Sequence, residues 1–301
     1  MNDSTIDLMH VGREKYVAAH ILMTAEGPVL IDCGPGSTIE NLRAGLAAHG
    51  LRVSDLRAVL LSHIHFDHAG AIGHLVAENP GLTVYVHERG APHLVDPTRL
   101  LASATQVFGD KMEYLWGTLL PSPADRIRAL RGGETVSFGD RHFEVLYTPG
   151  HAWHHVAYLE RADDTAYVGD VGGIRAPLLP WTLPVTPPPD FDLERWLASV
   201  DLIEAWRPRR LFSTHFGFWD DVAQQLGLLR EGLHDWTMTA KRLLDAPGTD
   251  PERAAAFDQH VIASLDGKAS AEAIAKTAAF SDYRASWYGL ARYHRKKGAS
   301  A

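Results

Sequence analysis

The stretch Val59-Leu60-Leu61-Ser62-His63-Ile64-His65-Phe66-Asp67-His68-Ala69-Gly70 decides how this chain is interpreted. Its first three residues form a short apolar run, which predicts a buried strand. Four side chains that can bind a metal ion follow within six residues: His63, His65, Asp67 and His68. Loops that follow strands carry much of the chemistry of α/β proteins, because the strand holds the loop rigidly.

The spacing of these four residues favours two adjacent cations over one. Side chains two residues apart in an extended chain share a face, so His63 and His65 are expected to point the same way. Asp67 and His68 come after the chain turns, so they can face a second point in space. A purely structural role is disfavoured, because buried polar groups without partners are costly.

The pattern His-x-His-x-Asp-His resembles the signature of the metallo-β-lactamase-fold hydrolases. That family carries three further ligands in order: a His after a Pro-Gly turn, an Asp at a strand end and a late His at a strand end. The matching positions in this chain are His151 after Pro149-Gly150, Asp170 after Tyr167-Val168-Gly169, and His215 after Ser213-Thr214. The resemblance covers about residues 15 to 218. It implies an α/β fold, the four-layer αββα sandwich, here followed by a C-terminal helical extension.

The resemblance also divides the ligands between two metal ions: His63, His65 and His151 for the first, Asp67, His68 and His215 for the second, and Asp170 bridging both. Imidazole and carboxylate ligands without thiolate suit zinc, with iron or manganese as alternatives. Two such ions lie roughly 3.5–4 Å apart and lower the pKa of a shared water from about 15.7 to near 7. We therefore expect a dinuclear metal-dependent hydrolase, in which a bridging hydroxide attacks a small ester, thioester, lactone or phosphoester. Asp67 is predicted to orient this hydroxide or to accept its proton.

Four further residues are candidates for supporting the ligands or binding the substrate. Asp32 closes a strand where the family keeps a carboxylate near the metals; holding a loop or a ligand histidine and serving as a simple turn residue are both open. His155 matches a position that often supports the ligands, and His154 is placed to donate a hydrogen bond to substrate. Trp181, in the proline-rich stretch 174–190, lines either a substrate wall or a packed connector.

Periodicity and turn residues divide the chain into a catalytic domain, residues 1–218, and a helical extension, residues 219–301. Ser37 is predicted to cap a helix that runs to about residue 48, and Asp192 to cap a helix over 192–206. The last strand is expected at 210–213, followed by helices at about 220–245, 251–265 and 270–296. Residues 88–120 are unusually apolar; they form either a lid over the substrate or a layer packed against the core or a partner subunit, and packing is favoured because aromatic stripes are usually core.

Composition limits the classes of partner. The 301 residues are 46% apolar and 22% charged, with a net charge of -8, which argues against a nucleic-acid partner. The single cysteine, Cys33, excludes an internal disulfide and is expected to be a buried apolar side chain. With neither a signal peptide nor a long apolar segment recognised, we expect a soluble, cytoplasmic protein that acts on a small molecule without membrane contact. Assembly into a homo-oligomer is left open.

Three other functions compete with hydrolysis. The main alternative is a metal-dependent oxidoreductase of the same fold, similar to a sulfur dioxygenase, although the complete second set of ligands counts against it. A processing nuclease would need a basic face, which the charge does not indicate. A catalytically inactive scaffold is disfavoured by the intact ligand pattern.

Overall fold

The structure is a computed structural model, which describes residues 2–175, 181–268, 270–274 and 283–299. Two mixed β-sheets form its centre. The first sheet contains, in spatial and chain order, β1 (Ser4–Asp7), β2 (Ala18–Thr24), β3 (Gly27–Ile31), β4 (Ala58–Leu60), β5 (Thr83–His87) and β6 (Ile127–Leu130). The strands β1 to β3 are antiparallel, and β3 to β6 are parallel.

The second sheet also follows the chain order. It contains β7 (Thr135–Phe138), β8 (Arg141–Tyr147), β9 (Val156–Glu160), β10 (Thr165–Tyr167), β11 (Arg210–Ser213) and β12 (Gly217–Trp219). Only the pairing of β10 with β11 is parallel among these described strands. A parallel pair needs a crossover connection, and the helix between β10 and β11 provides one.

Besides the helical residues 271–274, ten α-helices accompany the sheets in the described part of the chain. They are α1 (Ile39–Ala48), α2 (Phe66–Ala69), α3 (Ile72–Glu78), α4 (Ala91–Val95), α5 (Thr98–Phe108), α6 (Met112–Trp116), α7 (Leu193–Ala205), α8 (Val222–Asp245), α9 (Asp250–Ala263) and α10 (Tyr283–Gly298). Among the helices that the structure describes, none combines the length and the hydropathy needed to cross a membrane.

The strands β2 to β4 of the first sheet are buried on both faces, because both faces are covered. Leu22, Ile31 and Leu60 lie in a buried cluster with side chains of the second sheet, including Phe143 and Phe212. The alternate residues of the same strands pack in another cluster with side chains of α1 and α3. Successive side chains of a strand point to opposite faces, so one strand serves both layers. The predicted arrangement of two sheets flanked by helices is confirmed.

The described residues separate into two compact units. One contains Met1–Tyr147, His154–Gly169 and Arg207–Asp220, and includes both sheets. The other contains Thr148–Trp153, Asp170–Trp206 and Asp221–Ala301, with helices α7 to α10. The division into domains 1–218 and 219–301 stays a prediction.

Several local predictions were tested by the structure. Asp192 caps α7 as predicted, accepting a hydrogen bond from the backbone N–H of Arg195. Ser37 does not cap α1: the N-cap residue is Thr38, and the Ser37 hydroxyl donates to the Leu115 carbonyl instead. The short strand β12 was not predicted, since three residues are too few to show a strand period.

The apolar stretch 88–120 forms α4 to α6, which pack along one side while about half of the residues in the stretch are exposed. Phe108, Met112 and Trp116 pack with the buried Phe66 and Leu119. Part of the stretch is nevertheless solvent-facing, because Val107 is 55% and Tyr114 68% exposed. The favoured packed layer therefore describes only the inner side of this segment, and the choice between a lid and a packed layer stays a prediction. Of the other predicted segments, residues 176–180 of the proline-rich stretch and residues 275–282 of the last helix lie outside the described residues.

Candidate metal centre

Seven His and Asp side chains that are remote in the sequence form two groups with the geometry of metal ligands. The first ligand group is His63, His65, His151 and Asp170, and the second ligand group is Asp67, His68 and His215. Within each group, one ligand atom from each residue lies within 4.8 Å of the others. The groups contain all seven residues that the sequence predicted as metal ligands.

The second ligand group joins the ends of two strands from different sheets. The strand β4 ends three residues before His63, and the short helix α2 turns Asp67 and His68 back into the structure. His215 follows β11 closely, two residues after its end. The Nε2 atoms of His215 and His68 lie 3.2 Å and 3.8 Å from Oδ2 of Asp67.

Asp32 holds His68 in the orientation that a metal ligand needs. It is fully buried, and its Oδ2 lies 2.7 Å from Nδ1 of His68. The same carboxylate accepts hydrogen bonds from the hydroxyls of Ser62 and Thr214 at 2.8 and 2.6 Å, and from the backbone N–H of Ser62 at 2.8 Å. Because Nδ1 donates to a carboxylate, Nε2 of His68 carries the lone pair that can bind a cation. Asp32 therefore holds a ligand histidine and is not a simple turn residue.

A backbone carbonyl orients His215 in the same way. The Nδ1 atom of His215 lies 2.7 Å from the carbonyl oxygen of Tyr16, which selects Nε2 as the ligand atom. The backbone N–H of Ala18 donates to the carbonyl of Thr214 at 2.9 Å. Tyr16 and Ala18, near the start of β2, are thus hydrogen-bonded to His215 and Thr214 respectively.

His63 and His65 face one another across the first ligand group. Nε2 of His63 and Nδ1 of His65 are 2.9 Å apart, and Nδ1 of His63 lies 3.1 Å from the Ser62 hydroxyl. The fully buried His155 packs against His63, with ring centroids 5.1 Å apart. A Cβ added to Gly169 would lie 2.6 Å from Nε2 of His155, so position 169 requires glycine. His155 thus fills the space behind His63.

His154 lies beside the two histidines of the HxH pair. Its ring is 6.0 Å from the His63 ring and nearly parallel to it, and 5.5 Å from the His65 ring. The backbone N–H of Ile64 donates to its Nδ1 at 3.4 Å. The predicted hydrogen bond from His154 to substrate stays a prediction.

The turn that carries His151 is packed tightly against helix α7. A Cβ on Gly150, whose φ is +134°, would lie 2.3 Å from backbone atoms of Trp196. The Asp192 N–H donates to the Gly150 carbonyl, and the Ser199 hydroxyl donates to the Pro149 carbonyl. Nδ1 of His151 lies 2.7 Å from the carbonyl of Val185, which again leaves Nε2 as the ligand atom.

Asp170 lies in a turn that two helices hold. The indole N–H of Trp196 on α7 donates to the carbonyl of Val171 at 3.0 Å. The side-chain amide of Gln225 on α8 donates to the carbonyl of Gly172 at 3.1 Å. Oδ2 of Asp170 lies 3.4 Å from Nε2 of His151. Helix α8, which follows the strands in the sequence, therefore helps to position a predicted ligand.

These spacings fit a cation with nitrogen and oxygen ligands. Ligand atoms about 2.1 Å from a tetrahedral ion are about 3.4 Å from one another. The distances of 3.2, 3.4 and 3.8 Å between the His and Asp ligand atoms lie close to that value. Both groups therefore fit divalent metal binding, and together they are consistent with a dinuclear centre.

Two other predicted residues are placed as follows. Trp181 is half-buried and packs with Ile262, Leu265 and neighbouring apolar residues, with the Lys268 ammonium 3.6 Å from its ring centroid. Its role as a substrate wall stays a prediction. Cys33 is buried as expected, and burial, followed by the Asp32 charge, raises the pKa of its thiol well above the ordinary value. A thiol that stays protonated is not a nucleophile.

Sequence reasoning missed the groups that orient the ligands. Ser62 and Thr214 adjoin predicted ligands, and a small hydroxyl residue at such a position is a weak signal for this role. The carbonyls of Tyr16 and Val185 could not have been found, because every residue has a carbonyl. Their roles depend on the fold.

The two-sheet fold and the paired His and Asp groups define a class of protein with a candidate metal centre at the strand ends. The sequence model of the metallo-beta-lactamase superfamily matches residues 14–215, and the chain belongs to that superfamily. Helices α8 to α10 lie beyond the matched region.

Named relatives and solved structures agree with this family. The Bacillus subtilis protein named "Probable metallo-hydrolase YqgX" is 33% identical over 39% of this chain, and the match spans about half (51%) of that relative. The structure of TTHA1429, a metallo-beta-lactamase family protein from Thermus thermophilus, covers 94% of this chain and 89% of its own, with 23% identity and a TM-score of 0.69. The structure of TTHA1623 in a di-iron-bound form covers 71% of this chain and 93% of its own, with 29% identity and a TM-score of 0.53.

Proposed function

We propose that this protein is a dinuclear metal-dependent hydrolase of a small ester, thioester, lactone or phosphoester. The observation that supports the proposal best is the complete second ligand group, Asp67, His68 and His215, beside a first group of four ligands. A site for one metal would not need the second group. The name of the relative YqgX supports hydrolysis as the reaction class.

The residues divide the work in a way that suits hydrolysis. Two bound divalent ions would polarise the substrate and lower the pKa of a water molecule at the centre. The imidazoles of the two groups would hold the ions, each through the nitrogen that its hydrogen-bond partner leaves available. Asp170, with a 3% exposed side chain, would balance the charge of the ions from inside the protein.

Asp67 differs from the other carboxylate because it reaches solvent. Its side chain is 23% exposed, whereas His68 and His215 beside it are 0% and 4% exposed. A carboxylate that is both a ligand and accessible can orient a water molecule and accept its proton. We therefore assign Asp67 as the catalytic base and Asp170 as a bridging ligand.

The nature of the metal is part of the proposal. Imidazole and carboxylate donors without a thiolate suit zinc best, with manganese as an alternative. Iron is a real alternative, because the similar protein TTHA1623 was solved in a di-iron-bound form. We propose zinc as the native metal, and a small molecule rather than a nucleic acid or a membrane as the partner.

The test is a hydrolysis panel with defined metals. Protein loaded with zinc, manganese or iron is assayed on lactones, thioesters, phosphoesters and β-lactams. Asp67→Ala should lower kcat by at least about 10²–10⁴-fold on any substrate that the wild type hydrolyses, because both the proton acceptor and a ligand of the second group are lost. Asp170→Ala should abolish turnover by removing a ligand. The exposed Asp125, paired with Arg126, serves as control: Asp125→Ala should keep full activity.

Two results would contradict the proposal. Unchanged turnover in Asp67→Ala or Asp170→Ala would exclude the assigned roles. One iron per chain, with oxygen consumption and no hydrolysis, would instead favour the oxidoreductase alternative.

A further inference from the structure

A row of four aromatic rings connects the backbone that orients His215 to the residue before Asp67. In spatial order the rings belong to Tyr16, His10, Trp116 and Phe66. The centroid distances along the row are 5.7, 5.4 and 5.9 Å, and the successive interplanar angles are 2°, 21° and 27°. These values describe stacked rings, which attract one another beyond the area that they bury. We call this row the aromatic stack.

Both ends of the aromatic stack adjoin the second ligand group. Tyr16 supplies the carbonyl that accepts from Nδ1 of His215, and its ring also contacts the His215 ring, at 6.0 Å between centroids. Phe66 is the first residue of α2 and directly precedes Asp67. A shift along the stack would therefore change the separation of Asp67 from His215, whose ligand atoms are 3.2 Å apart.

His10 occupies the middle of the stack and is held firmly there. It is only 2% exposed, and its Nε2 lies 2.7 Å from the Leu115 carbonyl. A carbonyl only accepts, so Nε2 carries the proton and donates. Burial lowers the pKa of His10, so the ring is neutral near pH 7. A neutral ring stacks between two aromatic side chains without the cost of burying a charge.

The backbone around His10 is strained, which indicates that the position of the ring is imposed. Met9 and Val11, on either side, have φ of 49° and 50°, in the left-handed region. Non-glycine residues adopt it at an energetic cost, and such strain persists only when the surroundings over-determine it. The surroundings here include the carboxylate of Asp7, which accepts hydrogen bonds from the N–H groups of Met9 and Lys15 at 3.0 and 2.7 Å.

We propose that His10 is a positioning residue for the second ligand group, acting through the aromatic stack on His215 at one end and on Asp67 at the other. This inference rests on the proposed dinuclear site. It assigns a role in metal binding to the segment Met9–Tyr16, which precedes the ligand pattern by some fifty residues. The role belongs to the ring itself, since the ring spans Tyr16 and Trp116.

The test measures zinc binding to the metal-free protein. Titration calorimetry gives the affinity of each binding step, and the metal content after dialysis gives the number of ions bound. Asp67→Ala provides the reference, because the binding step that it removes belongs to the second ligand group. In His10→Ala that same step should weaken about tenfold, the lower end of the effect known for groups that support ligands. The other step should stay unchanged. His10→Phe keeps the stacked ring but not the Leu115 hydrogen bond, and it should restore the affinity to within about threefold.

A matched control separates this role from a general loss of stability. His87 is also buried, at 2% exposure, and its ring stacks on Tyr147 at 4.3 Å, but its contacts do not include the second ligand group among the described residues. His87→Ala should destabilise the protein and leave both zinc affinities unchanged. The inference is overturned if His10→Ala binds both ions like the wild type, if it weakens both steps equally, if His10→Phe fails to rescue, or if the wild type binds only one ion. Two bound ions without any hydrolysis would instead contradict the proposed function alone.

Discussion

Two kinds of partner orient the buried imidazoles of His68, His151 and His215. His68 is fixed by the carboxylate of Asp32, whereas His151 and His215 are fixed by backbone carbonyls. A carboxylate partner increases the electron density on the ring more than a neutral carbonyl does. We therefore expect His68 to be the strongest nitrogen donor of the second ligand group. The hydroxyls of Ser62 and Thr214 satisfy the remaining acceptor capacity of Asp32, which keeps a fully buried charge tolerable.

His20, a buried histidine outside the two ligand groups, should make the stability of the protein sensitive to acid. It is 1% exposed, lies among the rings of Tyr167, Phe212 and Phe218, and burial lowers its pKa to about 4. An unfolded chain has a histidine pKa of about 6.5. Between these values the unfolded state binds a proton that the folded state does not, so stability falls as the pH falls from 6.5 towards 4.

The expected size of this effect follows from the two pKa values. Between pH 7 and pH 5 the wild type should lose about 2 kcal/mol more free energy of unfolding than His20→Gln. Urea unfolding of the metal-free proteins at both pH values measures the difference. The exposed His49 provides the control: His49→Gln should show the same loss as the wild type. Equal losses in wild type and His20→Gln would show that His20 titrates normally.

At the scale of elements, helix α10 packs closely on the segment that orients His151. A Cβ on Gly289 would lie 2.0 Å from the Thr186 carbonyl oxygen and 2.9–3.0 Å from backbone atoms of the two prolines after it. The Thr186 hydroxyl donates to the Ser286 carbonyl on the same helix. Val185, whose carbonyl accepts from His151, directly precedes this contact. A helix far along the chain thus supports a ligand of the first group.

Gly289→Ala should therefore destabilise the protein and also weaken metal binding. Atoms inserted into a well-packed contact cost about 1–3 kcal/mol. Gly227 on α8 is a matched control, because its Cβ would meet nothing within 4 Å. Gly227→Ala should stabilise the protein by up to about 1 kcal/mol, since alanine favours helix more than glycine does. Thermal unfolding should show a lower Tm for Gly289→Ala and a higher Tm for Gly227→Ala. Zinc titration should show weaker binding for Gly289→Ala only.

If Gly289→Ala matched Gly227→Ala in both measurements, the helix contact would have no influence on the ligand. Loss of stability with unchanged zinc affinity would separate the packing of α10 from the orientation of His151.

At the scale of the whole molecule, metal binding should contribute much of the free energy of unfolding. The two groups bring together five imidazoles and two carboxylates, of which His63, His68 and His151 are fully buried. A ligand that binds only the folded state at 100 times its Kd stabilises it by about 2.7 kcal/mol. Removing the metal with a chelator should therefore lower the Tm by several degrees, and added zinc should restore it.

This stabilisation should depend on the ligands themselves. In Asp170→Ala, zinc should raise the Tm less than in the wild type, whereas Asp125→Ala should respond fully. Calorimetry with and without chelator measures both. A Tm that a chelator leaves unchanged in the wild type would contradict a metal centre of this kind.

The sequence by itself predicted the family, the sandwich and seven candidate ligand positions, and the structure brings those seven side chains together in two groups. Each is written locally: apolar runs predict buried strands, and His63 to His68 stand within six residues directly behind one of them. The same local signal predicted the cap at Asp192, but it failed at Ser37, where a nearby carbonyl competes for the hydroxyl. The short strand β12 was missed because three residues carry too little pattern.

Only the tertiary structure decided which nitrogen of His151 and of His215 is available to bind a metal. That choice depends on the carbonyls of Tyr16 and Val185, and carbonyls leave no signal in a sequence because every residue has one. The aromatic stack is equally invisible in sequence, since Phe66, Trp116 and His10 are neighbours only after the chain has folded. Hydrogen bonds and ring contacts depend on distance in space, whereas a sequence pattern reports distance along the chain.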